Sequence, residues 1–163
     1  MEEAFALQRF LHEEASMLDA HEWRLWLQAV IDEDIVYQMV VRPELSKGDD
    51  EGDCVWVYDD NYAALDLRIR QFETGLQKML DPFPRTARSI TNIEAFRDAE
   101  DTYFHLYSYG FLLRFRREYE VEQIFFKRRD LIKRYGETDF KIKRRNVEIP
   151  RRVFVGKNLL VMV

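Results

Sequence analysis

The sequence is poor in metal-ligating and redox side chains: 163 residues contain one cysteine, Cys54, and three histidines, His12, His21 and His105. A single thiol excludes an internal disulfide framework, which fits a reducing compartment. One Cys also excludes any cluster that needs two Cys and two His ligands. The histidines are far apart in sequence, with no His-Glu-x-x-His pair, so no metal is expected in this chain. Gly-x-Ser-x-Gly, Walker and dinucleotide fingerprints are missing as well. Four Pro and six Gly are too few for a fibrous or low-complexity chain. No run approaches the roughly 20 apolar residues of a membrane span. The opening Met-Glu-Glu-Ala-Phe carries acid where a secretory signal carries base, so the expectation is a cytoplasmic protein with no membrane partner.

What is present is a globular composition, 47% hydrophobic and 14% aromatic, enough for one sizeable core. A single domain over 1–163 is expected. The net charge of −5 is unevenly divided: residues 1–110 hold 10 Lys+Arg against 23 Asp+Glu, and 111–163 hold 15 against 7. With an acidic total, complementary charge within the fold or toward a protein partner explains this split better than nucleic acid, and no nucleic-acid partner is expected.

Leu7, Phe10, Leu11, Ala15 and Leu18 recur at helical spacing and predict an amphipathic helix over about 3–18. Asp19 with Glu22 offers a capping-box-like start to a second helix, whose apolar face is Trp23, Trp26, Leu27 and Val30. Ile35 to Val41 reads as a strand ended by Pro43, and residues 44–53 as an exposed loop. The glycine spacing of that loop fails the EF-hand pattern. Asp59, Asp60 or Asn61 can cap a third helix carrying Tyr62, Leu65, Ile69, Phe72, Leu76 and Met79, ending near Leu80 before Pro82.

From Ala87 onward, aromatic and β-branched runs predict long antiparallel strands over about 87–99, 102–117, 119–135, 138–149 and 152–163. Turns are expected at Glu118, Gly136 and Gly156. The shift in phase from Phe140 and Ile142 to Val147 and Ile149 predicts a β-bulge. The run Leu159 to Val163 has no polar alternation and is expected to be covered on both faces. Helices first and a long sheet afterwards make an α+β pattern.

Two features bear on chemistry. His105, Tyr107 and Tyr109 alternate along one strand and share a face; inside a cone, with Tyr37 and a carboxylate such as Asp66, they would suit a stand-alone dehydratase or isomerase. The plainer reading, an aromatic core with a hydrogen-bonded histidine, is preferred. Lys127-Arg128-Arg129-Asp130 and Lys141-Ile142-Lys143-Arg144-Arg145 place basic residues on neighbouring strands, as a solvated or protein-facing surface. A regulatory binding module is a third reading.

The segment Arg68-Ile69-Arg70-Gln71-Phe72-Glu73-Thr74-Gly75, then Asp81-Pro82-Phe83-Pro84-Arg85 and Ile90-Thr91-Asn92, resembles the small (beta) subunits of aromatic-ring-hydroxylating (Rieske non-haem iron) dioxygenases. Phe10 to Ala15, Lys127 to Leu131, Phe140 to Arg145 and Asn158 to Val161 extend the resemblance over nearly the whole chain. Lys78, Pro84, Ala87, Arg88 and Ile149-Pro150 depart from the usual family residues. The resemblance implies a cystatin-like, NTF2-like cone, three N-terminal helices packed on a long, curved, mixed but mostly antiparallel sheet. It further implies a non-catalytic subunit without cofactor of its own. Its partner would be a large (alpha) subunit bearing a Rieske 2Fe–2S cluster and mononuclear Fe(II), three of each, around a small-subunit trimer. Candidate subunit-contact or motif residues are Arg68, Arg70, Thr74, Gly75, Asp81, Pro82, Arg85, Arg88, Asn92, Arg129 and Asp130.

Overall fold

The computed structural model describes residues 2–42, 54–75, 83–100, 102–117, 119–136, 139–150 and 162–163. Among them lie three helices, α1 (Glu2–Asp19), α2 (Trp23–Ala29) and α3 (Tyr62–Glu73). Six strands lie among the described residues as well: β1 (Ile31–Arg42), β2 (Val55–Asp60), β3 (Arg85–Arg97), β4 (Tyr103–Arg116), β5 (Glu120–Tyr135) and β6 (Asp139–Pro150). The sheet runs β2-β1-β6-β5-β4-β3. Every pairing is antiparallel except β1 with β6, which is parallel and joins the early strands to the late ones.

One face of the sheet carries the core. On β4 the residues Phe104, Leu106, Ser108 and Leu112 point inward, and on β5 Ile124, Phe126 and Ile132 do. Helix α1 closes over them with Leu7, Leu11, Ala15 and Leu18, the positions its periodicity predicts. Trp26 and Leu27 of α2, and Leu65, Ile69 and Phe72 of α3, complete the layer. Gly110 has a steric reason: a Cβ there would sit 1.9 Å from Cζ of Phe126, the residue it pairs with on β5.

The predicted bulge in β6 is present. Leu131 of β5 faces Arg144 and Ile132 faces Ile142, so β6 has one residue more than its partner there. Burial accordingly changes phase, from Phe140 and Ile142 to Arg145, Val147 and Ile149. A second irregularity, between Thr91 and Glu94 of β3, places Asn92 at φ 52°, a left-handed conformation that asparagine tolerates.

Asn61 caps α3 as expected, accepting from the Ala64 backbone N–H at 3.0 Å. The cap of α2 differs from expectation: Glu22 occupies that position without a side-chain bond, because the Asp19 carboxylate is drawn to β3, where Thr86 and Arg88 donate to it. Helix α3 stops at Glu73, with Gly75 beyond it at φ 62°, earlier than Leu80. Strand β1 begins at Ile31 rather than Ile35. Strand β2 was not anticipated at all. The expected strand over 152–163 lies outside the described residues except for Met162 and Val163, both buried. Glu118 and Gly156 also lie outside them, whereas Gly136 makes its predicted turn at φ 69°.

Candidate functional site

The interior of the fold is built around a closed group of charges. Arg145, brought inward by the β6 bulge, donates from Nη1 and Nη2 to Glu14 Oε1 and Oε2 at 2.5 and 2.9 Å. Its Nε and Nη2 donate to Asp130 Oδ1 and Oδ2 at 2.9 and 2.8 Å. Arg128 donates from Nη1 to Glu14 Oε2 at 3.2 Å, and Trp26 from Nε1 to Glu14 Oε1 at 3.1 Å. Among the described residues Nε and Nη2 of Arg128 have no hydrogen-bond partner, although Nε lies 3.5 Å from Asp130 Oδ2.

The side chains of Glu14, Asp130 and Arg145 have no accessible surface. Burial alone would raise the Glu14 pKa, but the guanidinium groups of Arg145 and Arg128 outweigh it and hold the carboxyl at about 2. Burial likewise opposes the charge on Arg145, and Asp130 and Glu14 overcome it, keeping that arginine firmly protonated. Two cations and two anions therefore neutralise one another where no water could screen them.

Above this group, Tyr37 donates its hydroxyl to the main-chain oxygen of Val163 at 2.6 Å. Burial raises the Tyr37 pKa, so the phenol stays protonated and able to donate. Between α1, β1 and the β5–β6 hairpin a separate cavity of about 730 Å³ opens to solvent, lined by Phe10, Met17 and Phe140 with Glu13, Asp32, Glu33 and Asp139.

The residues of the dehydratase reading do not meet. His105, Tyr107 and Tyr109 do share a face, but it is the outer one, and all three are exposed; the inner face is taken by Phe104, Leu106 and Ser108. Tyr37 is buried but committed to Val163, and Asp66 lies on α3, ion-paired with Arg24 and Arg70. His105, its tyrosines, Tyr37 and Asp66 are not brought together in one pocket, and that reading does not hold. The ligands of an iron site are equally scattered. His12 is on α1, His21 follows it, His105 is on the outer face of β4 and Cys54 precedes β2. Among the described residues no three of His, Cys, Asp and Glu group as a metal site requires.

The motif residues fall into three sets. Arg68 forks onto Asp60 at 2.5 and 3.2 Å and lies over the Tyr58 ring; Arg70 pairs with Asp66 at 2.6 Å; Thr74 and Gly75 end α3. Arg88, Asn92 and Asp130 are built into the sheet: Arg88 binds Asp19 and donates to the Met162 oxygen at 2.6 Å. Arg85 and Arg129 are exposed, while Asp81 and Pro82 lie outside the described residues.

Arg129 is on the outer face of the sheet, where aromatic residues are exposed beside it. The outer face of β3, β4 and β5 exposes Phe96, Tyr107, Tyr109, Phe111, Phe115, Val121 and Phe125. Phe111 is directly opposite Phe125, Tyr109 opposite Lys127 and Tyr107 opposite Arg129. The rings touch, with Tyr109 and Phe125 centroids 5.7 Å apart and Phe96 and Tyr107 5.8 Å apart. Aromatic side chains beside arginine on an uncovered sheet face have the composition of a protein interface.

The family model for the ring hydroxylating beta subunit matches residues 13–155. The chain belongs to that family. Among curated relatives, the small oxygenase component of a naphthalene 1,2-dioxygenase system from Pseudomonas aeruginosa is 27% identical over 156 residues, covering 94% of this chain and 81% of the relative. The beta subunit of a 3-phenylpropionate/cinnamic acid dioxygenase from Photorhabdus laumondii is 28% identical, covering 97% and 90%. Among solved structures, a chain of naphthalene 1,2-dioxygenase, crystallised with indole in its active site, matches with a TM-score of 0.86 at 28% identity, covering 96% of this chain and 83% of that one. The beta-subunit fold is thus the NTF2-like cone of helices on a mixed sheet, and a beta subunit is one component of an oxygenase that also contains a larger chain. Among the described residues, no helix is long and apolar enough to cross a membrane.

Proposed function

We propose that this beta subunit is the non-catalytic, structural component of an aromatic-ring-hydroxylating dioxygenase of aromatic hydrocarbon catabolism. It forms one domain, works in the cytoplasm and assembles with a large subunit, three of each, around a trimer of small subunits. The large subunit would carry the Rieske 2Fe–2S cluster and the mononuclear Fe(II). There both atoms of O2 would be added to the aromatic ring, with electrons originating from NADH.

The observation that carries this reading is the inversion of the usual enzyme layout. The interior, where an enzyme of this shape would keep its substrate, is filled and charge-paired, while the aromatic and cationic surface faces outward. We assign that outer face, with Arg129 at its cationic edge and Arg85 opposite Phe115 at its end, to contact with partner chains. Arg68, Arg70, Thr74, Gly75, Arg88, Asn92 and Asp130 serve by fixing the elements that carry the surface.

Co-expression of this chain with the large subunit of its system tests the proposal. A stable complex that oxidises the ring, with all iron assigned to the large chain, is the expected result. A chain that purifies alone beside a fully active large subunit would overturn it.

A further inference from the structure

Met162 and Val163 lie within the cone, 2% and 1% exposed, yet neither belongs to a strand. Among the described residues their main chain is bound by side chains. Arg88 of β3 donates from Nη2 to the Met162 oxygen at 2.6 Å. The hydroxyl of Tyr37, on β1, donates to the Val163 oxygen at 2.6 Å and accepts from the Val163 N–H at 3.0 Å. Arg145 of β6 adds a longer bond from Nη1 to the same oxygen, at 3.3 Å.

A buried backbone is ordinarily satisfied by a ladder with its neighbours. Here three strands each contribute a side chain that recognises one peptide atom or pair of atoms, which is how proteins hold a ligand. The hydroxyl is well chosen, being the only one of the three groups able both to donate and to accept. These side chains are themselves fixed: Arg88 by Asp19, Arg145 by Glu14 and Asp130. The receptor is therefore formed by contacts beyond its occupant. Beside Met162 a residual cavity of about 30 Å³ remains, lined by Leu18, Trp23, Phe72 and Phe83 together with Arg88 and Arg114.

We propose that the interior of the cone is a binding site for a short apolar peptide, recognised by its main-chain carbonyl, N–H and next carbonyl, and that Met162–Val163 occupies it in cis. A peptide of the same type takes the site in trans once the resident segment is weakened. This property is separate from assembly with the large subunit.

The test uses the full chain with Met162→Gly and Val163→Gly, which keeps the backbone but removes both side chains. N-acetyl-methionyl-valine amide is added during thermal unfolding. At ten times its dissociation constant the probe should raise the folding equilibrium of the glycine variant about tenfold. It should leave the unsubstituted chain unmoved, and the response should vanish when Tyr37→Phe is added. No response in a glycine variant that unfolds cooperatively, an equal response in the unsubstituted chain, or a response that survives Tyr37→Phe would overturn the proposal. Should the glycine variant not fold, Tyr37→Phe alone decides. Peroxide oxidation of Met162, followed by peptide mass, is expected to quicken at least tenfold in a folded Tyr37→Phe chain, and an unchanged rate would refute the site.

Discussion

Arg145 and Glu14 form a pair joined by two hydrogen bonds, of 2.5 and 2.9 Å, with neither side chain reaching solvent. One belongs to the last described strand and the other to the first helix, so the pair ties the two ends of the fold together across its core.

Removing Arg145 leaves two buried carboxylates, Glu14 and Asp130, with Arg128 as their one cation in the group, and an uncompensated buried charge typically costs about 3 to 5 kcal/mol. Arg145→Met is therefore expected to lower the thermal midpoint by roughly 10 °C, taking about 2 to 4 °C per kcal/mol for a domain of this size. Adding Glu14→Leu should recover part of the loss, since one cation and one anion, Arg128 and Asp130, then remain. Calorimetry of the two variants checks this, and a double variant no more stable than Arg145→Met would contradict it.

The same pair predicts acid sensitivity. The Glu14 carboxyl is held at about 2, against 4.5 for the ordinary group, so the unfolded chain takes up its proton first. The stabilisation is fully present above about pH 4.5 and is lost as pH falls toward 2, on the order of 3 kcal/mol in all. Urea unfolding between pH 6 and 2 should show this slope, and Glu14→Gln should flatten it. An identical slope in the variant would place the sensitivity elsewhere.

Phe111 and Phe125, opposite one another on the outer face, should matter to assembly and not to folding. Phe125→Lys is expected to leave the stability of the free subunit within about 0.5 kcal/mol, as exposed substitutions usually do. It should weaken the complex with partner chains at least tenfold, read by analytical ultracentrifugation. A complex of unchanged strength would move the interface off this face.

Gly110→Ala should destabilise the sheet by about 1 to 3 kcal/mol, because the new methyl group would occupy the space of the Phe126 ring. Restoring stability with a second change, Phe126→Leu, would identify overpacking as the cause. A neutral Gly110→Ala would show that the ring can shift freely.

Much of this fold could be read from alternation, since the strands are long enough for their period to show. The inner residues of β4, the apolar stripe of α1 and even the β6 bulge follow from spacing alone. Strand β2 escaped because it is a short edge strand whose Val55 and Trp56 are exposed, so it lacks an in-and-out pattern. The charged interior left a trace that was misjudged. Continued from Val147, the shifted phase lands on Arg145; Glu14 falls on the apolar side of α1; Arg128 and Asp130 interrupt the inward series Ile124, Phe126 and Ile132. Charges at those positions signal buried ion pairs, whereas composition suggested a basic surface. The outward direction of His105 and Tyr107 was the harder matter, because aromatic residues line both faces of β4 and hydropathy cannot say which is covered.

The parallel junction of β1 and β6 also constrains how the chain becomes structured. Val36 to Arg42 align with Arg144 to Pro150, so the centre of the sheet closes only between segments made early and late in synthesis. Such distant pairing slows folding, because a long loop must be ordered before any contact rewards it. On the ribosome, β1 and β2 must wait with one edge unpaired until β6 emerges, while β4, β5 and β6 can zip through successive hairpins. The docking of the early hairpin onto the late meander is then the pairing that carries the largest loop-closure cost.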